Sequence, residues 1–258
     1  MIHLPRKRFG QHFLQDSMVI HRIITALNPK AEEHLIEIGP GGGALTIPIL
    51  KKIKQLEVIE FDRDLVAELH QYQSLGNLVI HSADVLAFDF ANVKQDARLL
   101  RIFGNLPYNI STPLIFHLLD FTTIIADMLF MLQKEVAVRL AANINTKQYS
   151  RLSVMVQYHC QVELLFDVSA DAFYPPPKVC SSIVKLRPYH AYPCLAKDYS
   201  FFATIVKTAF GQRRKTLRNS LKDFINDESW ERIQLPSHLR PENLTVNDFV
   251  ELSNRILG

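Results

Sequence analysis

The run Phe103-Gly104-Asn105-Leu106-Pro107-Tyr108-Asn109 sets an amide, a stiffened backbone and an aromatic ring directly after the β-rich stretch 98–103. Pro107 lacks an N–H and holds φ at about −65°, so a ladder cannot continue through it and the chain must leave the sheet at Asn105. The residue before a proline is held extended, which turns the Leu106 carbonyl outward beside the Asn105 side-chain carbonyl. Two converging acceptors suit a flat amino group with two N–H donors, such as the exocyclic amine of adenine, and Tyr108 offers a ring face for its base. The same residues also read as an ordinary strand-to-helix loop, with Asn as a turn former and Ser111 as N-cap of a helix over 112–119.

Other residues with chemical potential also fall just after apolar runs. Gly39-Pro40-Gly41 allows close backbone approach to a ligand, and Gly39-x-Gly41-x-x-Ala44 fits the relaxed dinucleotide fingerprint. Glu60, 21 residues after Gly39, stands where an acid holds ribose hydroxyls, so a nicotinamide dehydrogenase is a competing reading. Glu37, two residues before the glycine turn, and Asp84, after the third apolar run, tip the balance. Carboxylates repel a pyrophosphate, whereas Glu37 suits a cationic sulfonium or amine and Asp84 can accept from an adenine amino group. Singly, each acid also reads as a cap or turn former. As a set beside Asn105–Tyr108, they fit S-adenosyl-L-methionine better than NAD.

These residues need elements to hold them. Asp16 or Ser17 opens an amphipathic helix to about Leu27. Strands are expected over 34–38, 55–60, 77–81 and 98–103, with helices over 44–52, 62–72 and 112–119 between them. Strand 127–133 and helix 134–142 continue the alternation, which calls for parallel strands with right-handed crossovers. In such a sheet the ligand lies at the carboxyl ends of the strands, where all these residues fall. Residues 152–167 are then rich in Val, Tyr and Phe, Pro175-Pro176-Pro177 stiffens a connector, and 181–187 alternates like an antiparallel strand at the sheet edge. Pro188 and Pro193 bracket a change of composition. The expected organisation is therefore a Rossmann-like α/β domain over 1–190 and a small all-α domain over 191–258.

Composition bounds the function classes. The 258 residues are 48% hydrophobic and 21% charged, near the averages for globular domains, which excludes a disordered or fibrous chain. Cys160, Cys180 and Cys194 are odd in number and lack metal-type or C-x-x-C spacing, so idle thiols in a reducing compartment are expected and no metal is. No signal-type apolar core follows the charged N-terminus and no uncharged stretch is long enough to span a bilayer, so a cytoplasmic protein is expected. The net charge of +3 is mild, but its distribution is not. Residues 201–222 carry Lys207, Arg213, Arg214, Lys215, Arg218 and Lys222 without an acid, and residues 1–15 carry Arg6, Lys7 and Arg8 without one. Local excesses of this kind point to a polyanion.

Taken together, Lys7-Arg8-Phe9-Gly10-Gln11, Glu37-Ile38-Gly39-Pro40-Gly41, Ile59-Glu60-Phe61-Asp62, Asp84, Asn105-Leu106-Pro107-Tyr108-Asn109-Ile110-Ser111, Phe173-Tyr174-Pro175-Pro176-Pro177-Lys178-Val179 and Phe210-Gly211-Gln212-Arg213-Arg214-Lys215 resemble the bacterial ribosomal RNA adenine dimethyltransferases of the KsgA type. The resemblance implies methyl transfer from S-adenosyl-L-methionine to the N6 amines of two adjacent adenosines near the 3′ end of 16S rRNA. It also implies recognition of the small ribosomal subunit precursor rather than free RNA, and a monomer is expected. His12 and Leu14 would contact the cofactor, Gly39 its methionine part, Glu60 its ribose, Asp84 its adenine and Asn105 its amino acid end. Arg6, Lys7, Arg8, Arg213, Arg214, Lys215 and Arg218 would meet RNA.

His12 stands where the family usually has Asn, which leaves its backbone the surer contact, and Gly42-Gly43 stands where the family often has larger residues. Asn105 and the Leu106 carbonyl would free the amine lone pair toward the methyl group without a strong general base, and Tyr108 and Phe173 would hold the flipped base, although Phe173 taken by itself reads more readily as a core aromatic before the polyproline turn. A large-subunit adenine methyltransferase of the antibiotic-resistance type shares this pocket logic. A DNA adenine methyltransferase, which usually shows Asn or Asp before Pro-Pro-Tyr, fits less well. A ribosome-assembly factor with a vestigial pocket is the non-enzymatic alternative, opposed by the intact acids and Asn105.

Overall fold

The computed structural model of the chain describes residues 11–258 apart from 213, 227–229, 231, 232, 234, 235 and 237. Arg6, Lys7, Arg8 and Arg213 thus lie outside the described residues. The chain divides into two compact units, Met1–Ala137 with Glu163–Pro188, and Val138–Val162 with Tyr189–Gly258. These units depart from a boundary at 190 in one segment, since residues 138–162 go with the C-terminal helices.

The first unit is built on a seven-stranded sheet. Its strands are β2 (His34–Ile38), β3 (Gln55–Glu60), β4 (Asn77–Ser82), β5 (Leu100–Asn105), β6 (Ile125–Gln133), β7 (Cys160–Val168) and β9 (Ser181–Pro188). Two short strands, β1 (Phe13–Leu14) and β8 (Phe173–Tyr174), pair separately as an antiparallel ribbon. The sheet order is β4-β3-β2-β5-β6-β9-β7, parallel from β4 to β6 and antiparallel where β9 meets β6. The chain runs outward from β2 through β3 to β4, then returns to lay β5 on the other side of β2. A crevice opens between the carboxyl ends of strands at such a reversal.

β9 is not the edge strand that its alternation suggests, for β7 lies outside it. Six of its eight residues are buried, as neighbours on both sides require. Close approach also shapes β5. A Cβ on Gly104 would stand 2.3 Å from the Ile38 carbonyl oxygen, so only glycine lets β5 lie this close to β2. At the other end of the sheet the buried Arg101 binds both Asp127 oxygens at 2.8 and 3.0 Å, and Lys185 joins Asp127 at 2.9 Å. The charges that interrupt these apolar strands are therefore paired.

Helices cover the sheet. In α1 (Ser17–Leu27), Asp16 is the N-cap and accepts from the amides of Met18 and Val19, while Ile23 and Leu27 are buried. α2 (Thr46–Ile53) buries Ile49, Leu50 and Ile53, and α3 (Arg63–Leu69) buries Leu65 and Leu69. α4 (Ser111–Leu119) follows β5, and α5 (Lys134–Leu140) follows β6. In the second unit α6 (Arg151–His159), α7 (Tyr199–Gly211) and α9 (Val246–Leu257) pack through aromatic contacts, among them Tyr158 with Phe202 at 4.8 Å and Phe210 with Phe249 at 5.8 Å, and the short α8 (Leu217–Ser220) buries Leu217 and Ser220. α6 buries seven of its nine residues, so its sequence lacks the one-sided apolar stripe that marks a surface helix. No described helix is long and apolar enough to cross a membrane.

Candidate active site

A cavity of about 630 Å³ opens at the carboxyl ends of β2, β3, β4 and β5, with residues 11–15 across it. Glu37, Gly39, Gly41, Glu60, Asp84, Asn105, Leu106, Pro107, Tyr108, His12 and Leu14 all line it. The residues that the sequence spreads over 97 positions thus meet in one place within the first unit.

Gly39 and Gly41 adopt φ of +65° and +55°, a region that costs other residues. A Cβ on Gly41 would also press against the Phe13 ring at 3.0 Å, so the glycines make room for the leader strand as well as for a ligand. α2 begins only at Thr46, leaving the glycine loop as a turn rather than the first turn of a helix. The Glu60 carboxylate is fixed by backbone amides: Oε1 accepts from Phe61 and Asp62 at 2.9 Å each, and Oε2 accepts from Gly41 at 3.3 Å. Burial still raises its pKa above the ordinary carboxylate range, against those hydrogen bonds.

Glu37 is 2% exposed and accepts from the Thr46 hydroxyl at 2.6 Å. Burial, with the nearby Glu60 charge adding to it, pushes its carboxyl up to about 8 despite the Thr46 hydrogen bond. Asp84, exposed at the cavity, accepts from the Leu86 amide at 2.9 Å and so serves as a cap while offering its remaining lone pairs.

At the end of β5 the Asn105 amide donates from Nδ2 to the His12 carbonyl at 3.0 Å, which fixes the side chain and leaves its oxygen as the acceptor. The Leu106 N–H is held by the Met131 carbonyl at 3.2 Å, tying the turn to β6. The Tyr108 hydroxyl meets Ser181 Oγ at 2.9 Å, and burial raises the phenol pKa. Its ring lies beside the His12 imidazole, with centroids 5.6 Å apart and a tilt of 31°. Ser111 is the first residue of α4 rather than its cap, and its hydroxyl donates to the Tyr108 carbonyl at 3.1 Å.

Phe173 is placed differently from its expected role as a face for the base. It is 4% exposed and packs in the core against Leu14, its ladder partner, outside the cavity lining. Alternation along a two-residue strand explains this, because Phe173 turns inward while Tyr174 stays 55% exposed. The leader is better engaged than a bare backbone contact implies: His12 Nδ1 reaches the Pro175 carbonyl at 2.7 Å, and Gln11 Nε2 donates to Asp62 at 3.3 Å.

Sequence reading passes over Phe13, Phe61, Asp62 and Thr46 as parts of the site. Phe61 is 59% exposed at the cavity, and its position directly after Glu60 is the signal that could have found it. Arg214, Lys215 and Arg218, in the second unit, are exposed around the start of α8.

Comparison with known proteins agrees with this geometry. Residues 2–257 match the family described as ribosomal RNA adenine dimethylase. A Chromohalobacter salexigens protein named ribosomal RNA small subunit methyltransferase A is 51% identical over 259 residues, covering 98% of this chain and 92% of that protein. The Pseudomonas putida protein of the same name is 51% identical over 255 residues, covering 98% and 96%. The crystal structure of a dimethyladenosine transferase from Plasmodium falciparum has a TM-score of 0.77 at 28% identity, covering 93% of this chain and 96% of that one. The 23S rRNA methyltransferase ErmE, with a TM-score of 0.72 at 22% identity over 95% of this chain and all of that one, shows the shared fold. A match along nearly the whole sequence, on a fold that gathers the motif residues round one cavity, means that the chain belongs to the ribosomal RNA adenine dimethylase family.

Proposed function

We propose that this protein transfers methyl groups from S-adenosyl-L-methionine to the N6 amines of two adjacent adenosines near the 3′ end of 16S rRNA, acting as a cytoplasmic monomer on the small ribosomal subunit precursor. The observation that carries this reading is Asn105, whose amide is anchored through Nδ2 so that its oxygen is left as an acceptor beside Leu106, Pro107 and Tyr108. The small-subunit target rests on relatives at about half identity that bear the small-subunit name.

The cavity suits the cofactor. Its volume of about 630 Å³ lies in the usual range for a ligand of this size, and its acids match a ligand with two cationic groups and a ribose. Glu60 would accept from the ribose hydroxyls, Asp84 from the adenine amine, and the exposed Phe61 ring would cover an aromatic face. Glu37 and the Gly39 loop would hold the methionine part, with Leu14, Gly41 and the His12 backbone closing over it. S-adenosyl-L-methionine, when bound, supplies a methyl group made electrophilic by the sulfonium.

The chain's own part is to make a poor nucleophile attack. The Asn105 oxygen and the Leu106 carbonyl would accept both N–H groups of the amine, free its lone pair from the purine and stabilise the developing positive charge. The Tyr108 ring would stack the flipped base. Arg6, Lys7, Arg8, Arg213, Arg214, Lys215 and Arg218 would supply phosphate contacts. The deciding experiment is mass spectrometry of 16S rRNA nucleosides from cells with and without the gene: dimethyladenosine should be absent without it. Titration with S-adenosylhomocysteine and NAD separates the cofactor readings, for binding of NAD alone would overturn the assignment.

A further inference from the structure

The ribbon of β1 and β8 has two faces. Residues directly opposite each other in an antiparallel pair carry their side chains on the same face, and successive residues alternate. Leu14 and Phe173 form one pair and turn into the core. Phe13 and Tyr174 form the other and share the opposite face. The Phe13 ring lines the cavity, against Gly41. Tyr174 stands beside it but outside the lining, 55% exposed, and among the described residues no ring contact or hydrogen bond takes up its side chain. The next residue fixes it at the cavity mouth: the Pro175 carbonyl oxygen lies 2.7 Å from His12 Nδ1, and the His12 ring lies beside Tyr108 with centroids 5.6 Å apart.

The target proposed above gives such a ring a use. Its two adenosines are adjacent, so when one is flipped into the cavity to meet Tyr108, the phosphodiester link holds the nucleotide on either side of it at the mouth. Flipping takes a stacking partner from those neighbours, and an exposed aromatic face replaces it without regard to sequence. We propose that Tyr174 is the platform for the base that flanks the adenosine being methylated, an inference that rests on the transfer to adjacent adenosines proposed above. A strand crosses the mouth in one direction, so Tyr174 serves the flank on one side only. It therefore meets the partner adenosine during one of the two transfers and a base outside the pair during the other. The methyl donor and the acceptors for the amine are untouched by this contact, which makes Tyr174 a residue that binds and positions the RNA.

Single-turnover methylation of small-subunit particles at saturating cofactor, followed against enzyme concentration, tests this. Tyr174→Ala should raise the half-saturating enzyme concentration about 5- to 150-fold, the loss expected of one stacked base, and leave the rate at saturation as it was. Tyr174→Phe keeps the ring face and should match wild type, whereas Tyr174→Leu keeps only apolar bulk and should resemble alanine. The flank is located with particles in which uridine, a poorer stacker, replaces either adenosine in turn. The effect of Tyr174→Ala should shrink in one of the two particles and persist in the other. Wild-type behaviour of Tyr174→Ala, rescue by leucine as complete as by phenylalanine, or an effect equal in the two uridine particles would overturn the proposal. So would a fall in melting temperature and S-adenosylhomocysteine affinity that accounts for the loss, since Tyr174 would then merely support the Phe13 side of the ribbon. Absence of dimethyladenosine from the wild-type reaction would instead strike the methyl-transfer reading itself.

Discussion

The two buried acids of the cavity differ in what surrounds them, and their variants should differ accordingly. Glu60 has its carboxylate aimed by three backbone amides, and hydrogen bonds to a charged group contribute about 1.5–3 kcal/mol. Glu60→Gln should therefore weaken S-adenosylhomocysteine binding by about 10- to 100-fold in calorimetry while the fold is kept; unchanged affinity would refute the ribose role. Glu37 carries a proton in the folded protein until about pH 8, whereas the unfolded chain releases it near the ordinary glutamate value of 4.5. The folded state thus binds more protons between those values, and Glu37 takes away stability progressively as pH rises through that window, with the full loss reached above it. Glu37→Gln should flatten this part of the stability curve. Binding of a cationic cofactor should favour the carboxylate and expel a proton below pH 8, which calorimetry in buffers of different ionisation enthalpy would reveal. Tyr108→Phe keeps the ring but leaves the fully buried Ser181 without the phenol, so it should lower the melting temperature while preserving most activity, and Tyr108→Ala should lose the activity. Residue types and spacing made Glu37, Glu60, Asp84 and Asn105 legible because strand ends are marked by glycine and proline. The inward turn of Phe173 was legible only in the burial habit of Phe before a polyproline turn, since alternation over two residues leaves no pattern to read.

Among the elements, the pairing of β2 with β5 is the most constrained. Gly104→Ala would drive a methyl group into the Ile38 carbonyl, and neither atom is the far end of a flexible side chain. Overpacking of this sort costs about 1–3 kcal/mol, and here it would also shift Asn105 against Gly39. The variant should melt earlier and bind cofactor more weakly; a normal melting temperature would show that the strands can part freely. The parallel strands were readable from their apolar runs and turn residues. α6 was not, because a helix buried nearly all round has the Val- and Tyr-rich look of a strand. β9 read as an edge for a related reason: its exposed Arg187 and half-buried Lys185 mimic alternation, although Lys185 is satisfied by Asp127.

Across the whole molecule, charge is the property that composition conceals and distribution shows. Reversing Arg214 and Lys215 together should weaken binding to the ribosomal particle and reduce its salt dependence by about 0.7–0.9 log units for each lost phosphate contact. Cofactor affinity should stay as it is, and unfolding with an unaltered salt slope would assign these residues to the helical unit's own stability. The division of the chain was legible only in part, because residues 138–162 precede strands of the first unit yet belong to the second. The pairing of Leu14 with Phe173 has a consequence for how the protein comes into being. The leader leaves the ribosome before any strand of the sheet, and the strand that latches it follows 159 residues later. At about 5–20 residues per second the gap lasts roughly 8–32 s. Until it closes, the nascent enzyme has no enclosed place for its methyl donor, so a chain cut short before Phe173 should be inert however well its first four sheet strands have formed.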